Sequence, residues 1–184
     1  MSALKLHTLE SAPAASKTML EESNKAFGMI PNLHAVMAES PQHLEAYKNL
    51  HELFSKSSLT DTERTVVWMV INVENECHYC VPAHSAIAKM QGIADATVQE
   101  LREAKPLSDA KLEALRQFTL AVMRQRGNVT GAPLDAFFAA GYTQANVLDV
   151  ILGLAQKTLS NYVNHIAKTP VDEPFTAFAW QPSS

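Results

Sequence analysis

Two cysteines lie three residues apart in this chain, at Cys77 and Cys80, and His84 follows about one helical turn after the second. No other cysteine occurs among the 184 residues. Two thiols at this spacing can close into a disulfide and reopen with little movement of the backbone. A single pair of this kind indicates redox chemistry or metal binding rather than a disulfide-stabilised secreted scaffold.

On a continuous helix, Cys77, Cys80 and His84 lie on one face. A thiol at the start of that helix is stabilised as a thiolate by unpaired backbone N–H groups and the helix dipole. His84 is predicted to exchange a proton with Cys80. These are the parts of a peroxidatic or disulfide-exchanging dithiol. Exposure at the helix start favours Cys77 as the attacking thiol, whereas proximity to His84 favours Cys80.

Two carboxylates precede the dithiol, at Glu74 and Glu76. Nearby negative charge raises the pKa of a thiol, so these side chains oppose thiolate formation. A desolvated carboxylate at either position can instead accept the proton of the thiol. The sequence leaves both roles open.

A zinc site is the main alternative. Its ligands would be the two cysteines and His84, with His78 or His165 as the fourth. Structural zinc usually takes a second ligand pair at a defined spacing, and the sequence has none, so we expect redox chemistry without a metal or cofactor. A second alternative is that His84 is simply a packed core histidine. Trp68 is predicted to belong to the core rather than to a substrate pocket.

Composition narrows the class of protein. The formal net charge is −4 and no basic run occurs, which disfavours nucleic-acid binding. No uninterrupted apolar segment is long enough to span a bilayer, and residues 1–7 lack the apolar stretch of a signal peptide, so we expect a cytoplasmic protein that does not bind membranes. The apolar fraction of 47% is sufficient for a folded core.

The periodicity of apolar residues predicts an all-α fold, a helical bundle in one domain spanning residues 1–184. Its core covers about 13–169, and the aromatic tail 170–184 is expected to pack on this domain or on a neighbouring subunit. Thr60 and Glu63 form a capping box before a strongly apolar segment, which favours a buried helix over a strand. Helices are predicted over about 13–27, 33–38, 41–57, 60–75, 79–91, 95–103, 108–126, 130–141 and 143–169.

These residues resemble the alkylhydroperoxidase D-like family of the carboxymuconolactone decarboxylase superfamily, in its peroxidase-related branch. The resemblance is carried by the Cys-x-x-Cys-x-x-x-His segment 77–84, by the apolar helix before it, and by segments 153–156 and 161–165 of the last helix. It covers most of residues 20–170. The lactone-decarboxylase branch lacks the cysteine pair, so its reaction is disfavoured.

The resemblance implies an all-α homo-oligomer that reduces hydroperoxides. Its dithiol would cycle to a Cys77–Cys80 disulfide without metal or flavin, and a partner thiol system would return the electrons. Cys77, Cys80 and His84 match the family positions. The family's proton-relay glutamate lies twelve residues before the first cysteine, where this chain has Thr65, and we predict Glu74 as its substitute. The sequence leaves an electron carrier for a separate peroxidase, or a non-catalytic oligomeric protein, as alternatives.

Overall fold

The computed structural model of the chain describes residues 4–182, and within that range it consists of helices and connecting turns, without strands. The prediction of an all-α, single-domain fold is confirmed, with a helical content of 68%. The predicted domain range includes residues 1–3 and 183–184, which lie outside the described residues. The helices are α1 (Ala14–Phe27), α2 (Asn32–Met37), α3 (Pro41–Ser55), α4 (Asp61–Glu74), α5 (Cys80–Met90), α6 (Asp95–Arg102), α7 (Ala110–Arg124), α8 (Ala132–Ala139), α9 (Gln144–Ala167) and a final 3-10 helix (Glu173–Phe178).

Helix α4 lies at the centre of the fold and packs against α5, α6, α7 and α9. The predicted capping box is present at its start: the Thr60 hydroxyl accepts the N–H of Glu63 at 3.3 Å, and the Glu63 carboxylate accepts the N–H of Thr60 at 2.8 Å. All residues from Val66 to Ile71 are buried. The apolar, β-branched segment is therefore a helix surrounded by other helices, which explains why it has no polar face.

Helix α9 crosses α4 at close range because it has a glycine where the two helices meet. A Cβ atom at Gly153 would lie 2.8 Å from the ring of Phe54 and 3.0 Å from the side chain of Val67. The absence of a side chain at this position allows α3, α4 and α9 to pack together. This packing brings the second half of α9 against the turn that carries the cysteines.

The outer face of α9 carries the exposed apolar side chains Leu148, Ile151, Tyr162 and Ile166. An apolar surface of this kind is typical of a contact between protein subunits. No single helix in the described range is long and apolar enough to cross a membrane, although the bent pair α8 and α9 passes that test by length and composition.

The C-terminal tail packs on its own domain through Asp172. One carboxylate oxygen of Asp172 accepts the hydroxyl of Tyr79, and the other accepts the backbone N–H of Asn32 at 2.9 Å. Further along, the Nε1 of Trp180 donates to the carbonyl oxygen of Arg102 at 2.8 Å. Because Tyr79 precedes α5 directly, Asp172 joins the tail, α2 and the start of the cysteine-bearing helix.

Replacing Asp172 with alanine should lower the free energy of unfolding by about 2 kcal/mol, because the buried hydroxyl of Tyr79 and the half-buried N–H of Asn32 then lose their acceptor. Chemical denaturation followed by circular dichroism measures this value. The matched control is Glu173→Ala, which removes the neighbouring, exposed carboxylate and should change stability by less than about 0.5 kcal/mol. Equal losses in both variants would show that the Asp172 contacts do not stabilise the fold.

Candidate active site

Cys77 lies in the turn between α4 and α5. The chain reverses there through Glu76, whose φ of 51° is in the left-handed region. The backbone N–H of Cys77 donates to the carbonyl oxygen of Asn72 at 2.9 Å, and the sulfur of Cys77 accepts the N–H of Cys80 at 3.3 Å. The helix predicted over about 79–91 is confirmed and begins at Cys80, but the expectation that Cys77 shares a helical face with Cys80 and His84 is wrong. Cys77 instead precedes α5, and its sulfur takes the place of a capping side chain at the helix start.

The position of Pro82 accounts for the start of α5. With Cys80 as the first helical residue, Pro82 falls in the first turn, where its missing N–H costs no helical hydrogen bond. A helix continuous from α4 would have this proline in its interior. The break between α4 and α5 is thus consistent with the proline. It places Cys77 where its sulfur can accept a hydrogen bond from the first turn of α5.

Helix α9 holds both sulfurs from the opposite side. The side-chain amide nitrogen of Asn164 lies 3.2 Å from the sulfur of Cys80 and 3.9 Å from that of Cys77. One turn earlier, Asn161 donates to the side chain of Asn72 at 2.9 Å and so ties α9 to the end of α4. Both cysteines are free thiols and both are buried. The dithiol is therefore held between the turn and one face of α9.

A buried lysine completes this face. Lys157 has a relative exposure of 0%, and its Nζ lies 2.6 Å from Nε2 of His84 and 5.7 Å from the ring centre of Trp68. Among the described residues, no carboxylate lies within ion-pair distance of Lys157. A buried charge is usually paired with an opposite charge, so the groups around Lys157 indicate which anion its ammonium group pairs with.

The pKa values of the two thiols are shifted in opposite directions. Burial by itself raises the pKa of Cys80, but the hydrogen bond from Cys77, the charge of Lys157 and hydrogen bonds from Ser160 and Asn164 outweigh it and lower this pKa to about 6. The same hydrogen bond, then burial and the negative charge of Cys80, raise the pKa of Cys77. The pair thus holds one proton, with the thiolate on Cys80 and the thiol on Cys77.

The imidazoles beside the dithiol are neutral. Burial, then the charge of Lys157, lowers the pKa of His84 well below its usual value, and the same causes lower the pKa of His51 to about 4. A neutral His84 accepts a hydrogen bond from Lys157 through Nε2. Within residues 4–182 no hydrogen bond joins His84 to either sulfur, so its direct partner is Lys157 rather than the predicted Cys80.

A cavity of about 400 Å³ opens onto Cys80. Its buried lining residues include Cys80, His84, Lys157, Trp68 and Tyr47, whereas Phe27, Met90 and Gln91 are exposed and lie at its mouth. Among the described lining residues there is no carboxylate, and Cys77 is not among them. A small molecule entering this space meets Cys80 before Cys77.

The structure corrects the prediction for Glu74. Its two carboxylate oxygens accept hydrogen bonds from Nε and Nη2 of Arg124 at 2.7 and 2.8 Å, and Glu74 does not line the cavity. As the last residue of α4, it points to α7 and not to α9. Thr65, which occupies the position of the relay glutamate in the resembled family, is buried and carries a hydroxyl instead of a carboxylate. Lys157 and His84, by contrast, line the cavity together with Cys80.

The residues proposed as zinc ligands do not converge. Nε2 of His78 bonds to the carbonyl oxygen of Thr169 at 3.0 Å, and His165 is exposed on α9. Within residues 4–182, no cluster of three His, Cys, Asp or Glu side chains has the arrangement of a metal site.

Sequence reasoning missed several residues of the site. Trp68 belongs to the core, as predicted, but it also lines the cavity. Its Nε1 donates to Gln156 at 2.7 Å, and Gln156 in turn contacts Nδ1 of His51 at 3.1 Å. Nothing in the sequence around His51 indicates this position. One signal was present: a polar stripe at helical spacing along an otherwise apolar last helix, all of it fully buried. Its members are Gln156, Lys157, Ser160, Asn161 and Asn164.

Similarity to known structures supports the fold. The alkylhydroperoxidase AhpD core, an uncharacterized peroxidase-related protein from Ralstonia eutropha JMP134, has a TM-score of 0.84 and 22% identity, covering 95% of this chain and 94% of that chain. A peroxidase-related protein from Silicibacter sp. TM1040 has a TM-score of 0.80 and 20% identity, over 95% and 93% of the chains. At these identities the likeness establishes the fold.

The debrominase Bmp8, as a variant in complex with 2,3,4-tribromopyrrole, has the same fold with a TM-score of 0.78 and 14% identity, over 96% of this chain and 95% of that chain. No sequence among curated proteins matches the chain. Residues 41–127, which run from α3 to just beyond the end of α7 and include the dithiol, match the model of the carboxymuconolactone decarboxylase family. Over these residues the chain is similar to the carboxymuconolactone decarboxylase family, and as a whole it has the fold of the alkylhydroperoxidase AhpD core.

Proposed function

We propose that this protein is a thiol-dependent hydroperoxide reductase in which Cys80 attacks the peroxide and Cys77 resolves the product. The observation that carries the proposal is the position of Cys80, the more acidic thiol, in the lining of an apolar cavity. The thiol of Cys77 is hydrogen-bonded to Cys80. A thiolate is the nucleophile in such reactions, and an open route to it is required. Cys80 has both properties.

The Cys80 thiolate attacks the distal oxygen of the hydroperoxide, the O–O bond breaks, and Cys80 becomes a sulfenic acid while an alkoxide leaves. The alkoxide takes up one proton and departs as an alcohol. The Cys77 thiol then condenses with the sulfenic acid, which forms the Cys77–Cys80 disulfide and releases water. An external thiol system then supplies two electrons and two protons: the electrons and one proton restore the thiolate and thiol, and the other proton replaces the one taken up by the alkoxide.

The burial of the dithiol bears on its reductant. A protein dithiol on a flat surface cannot reach cysteines that are 0% and 2% exposed. The reductant would be a slender thiol that enters the cavity, and the same restriction disfavours an electron carrier for a separate peroxidase. We further propose that the apolar outer face of α9 mediates homo-oligomer formation.

A second candidate is reductive removal of halogen from an aromatic compound. The cavity next to Cys80 has aromatic walls from Trp68, Tyr47 and Phe27, which suit a flat ring. The similarly folded Bmp8 is a debrominase captured with a brominated pyrrole. Release of bromide from 2,3,4-tribromopyrrole in the presence of dithiothreitol, measured beside peroxide consumption, separates the two candidates.

The direct test is a stopped-flow measurement of tert-butyl hydroperoxide reduction by the reduced protein across a range of pH. We expect one peroxide consumed per subunit without added reductant, with formation of the Cys77–Cys80 disulfide. The rate should fall about tenfold for each pH unit below about 6, because protonation of Cys80, whose pKa is about 6, removes the thiolate. It should level off above that pH. Absence of peroxide consumption by the fully reduced protein would contradict the proposed function.

A further inference from the structure

Building on the proposed hydroperoxide reduction, we propose that Lys157 is the acid of the reaction. Its ammonium group pairs with the Cys80 thiolate in the resting protein and protonates the oxygen that leaves when the O–O bond breaks. No carboxylate among the described residues lines the cavity, so the proton must come from another group. Lys157 is the cation that lines the cavity together with Cys80.

The burial of Lys157 supports this role. The side chain lies between α9 and the cavity, with His84 at 2.6 Å and the face of Trp68 at 5.7 Å. A lysine that only stabilised the fold would be expected to reach solvent with its charged end, as most buried lysine stems do. Here the whole side chain is inaccessible to solvent, and Lys157 is among the residues that line the cavity.

The charge balance around Lys157 changes during the reaction. Burial lowers the pKa of Lys157, while negative charge on Cys80, and then on Cys77, raises it. The other titratable groups that line the cavity are uncharged, because burial lowers the pKa of His84 and His51 and raises the pKa of the two tyrosines there, Tyr47 and Tyr79. When the Cys80 thiolate becomes a sulfenic acid, the anion that retained the proton on Lys157 is lost. The ammonium group becomes most acidic at the moment when the alkoxide forms.

The step balances without a proton from solvent. The thiolate, the ammonium and the hydroperoxide become the sulfenic acid, the neutral amine and the alcohol. In the second step, the neutral amine takes the proton of Cys77 and returns it to the departing hydroxide, which leaves as water. Reduction of the disulfide by the external thiol supplies two electrons and two protons, one to Cys77 and one to Lys157.

His84 is then a positioning residue. Its neutral Nε2 accepts from Nζ of Lys157 and orients the ammonium group in the cavity. This arrangement explains why a histidine seven residues after Cys77 belongs to the site although it bonds to neither sulfur. Trp68 covers the same ammonium group with its ring face, which favours the charged form without supplying a base.

The test compares two oxidants and two variants in single-turnover experiments. In tert-butyl hydroperoxide the leaving alkoxide needs a proton, whereas in peracetic acid the leaving acetate does not. Lys157→Met removes the charge and the proton. Lys157→Arg keeps the charge, but its guanidinium holds its proton. For Lys157→Arg we expect the rate of oxidation to fall about 100-fold with tert-butyl hydroperoxide and less than about tenfold with peracetic acid.

Alkylation of Cys80 by iodoacetamide at neutral pH gives a readout that needs no peroxide. Lys157→Met should slow it about tenfold or more, because the thiol loses the positive charge that lowers its pKa. Lys25→Met, which removes an exposed lysine on α1, is the control for loss of one positive charge. Circular dichroism and the melting temperature verify that each variant is folded.

Each outcome decides the proposal. Equal losses with both oxidants in an active, folded Lys157→Arg variant overturn the acid role and leave only charge stabilisation. An unchanged alkylation rate in Lys157→Met overturns the pairing with Cys80. If the wild-type protein reduces neither oxidant, the hydroperoxide reductase function itself fails, and the acid role fails with it. Alkylation then still reports whether Lys157 and Cys80 are paired.

Discussion

Replacing Cys80 with serine should abolish hydroperoxide reduction, with a loss of about 10⁴-fold or more, because a serine hydroxyl does not ionise in this environment. Replacing Cys77 with serine should have a different effect. The serine hydroxyl can still donate a hydrogen bond to Cys80, so the first oxidation stays fast. Without a resolving thiol, however, the first equivalent of peroxide leaves Cys80 as a sulfenic acid, whereas the wild type goes on to the Cys77–Cys80 disulfide.

The measurement is a single-turnover reaction with mass spectrometry of the product. In Cys77→Ser, dimedone should trap a sulfenic acid on Cys80. In Cys80→Ser, no oxidised thiol should form on the same timescale. The reverse pattern, with a sulfenic acid on Cys77 and a slow Cys77→Ser variant, would assign the attack to Cys77. It would also contradict the acidities that we derive from Lys157 and Asn164.

Valine at position 153 should lower the free energy of unfolding by about 3 kcal/mol. A Cβ there lies 2.8 Å from the ring of Phe54, which is fully buried, and 3.0 Å from Val67 on α4. Neither side chain has space to move, because Phe54 also packs edge-on against Trp68 with ring centres 5.1 Å apart. The added methyl groups would therefore push α9 away from the centre of the fold.

The matched control is Ala155→Val, an exposed position two residues further along the same helix. It introduces the same β-branched side chain and should cost only about 0.5 kcal/mol of helix propensity. Urea denaturation measures both. A second effect should follow in Gly153→Val: displacement of α9 moves Lys157 and Asn164, so alkylation of Cys80 should slow as well. A variant as stable as Ala155→Val would mean that the three helices do not pack as described.

Local sequence signals were sufficient for most of the fold. The capping box at Thr60 and Glu63 acts within four residues, and it correctly placed the start of α4. Gly28 and Pro41 marked the end of α1 and the start of α3 in the same way. Such signals are reliable because their hydrogen bonds close within one helical turn. The Cys-x-x-Cys pair was also visible, since its reactivity depends first on two thiols at short spacing.

The errors arose where distant segments decide the outcome. Closeness in sequence to the dithiol favoured Glu74, but the end of α4 directs its side chain to Arg124 on α7. The helical spacing of Cys77, Cys80 and His84 predicted that all three lie on one face. The turn at Glu76 and the proline in the first turn of α5 place Cys77 just outside the helix instead.

The sequence by itself determined the helices, the dithiol and the nearby histidine, because each depends on residues a few positions apart. Only the tertiary structure decided the acidity of the two thiols and the identity of their charged partner. Lys157 lies 77 positions after Cys80 in the chain, and it reaches the site because Gly153 lets α9 pack closely on α4. Burial then makes its charge effective, since electrostatic interactions are stronger where water is excluded.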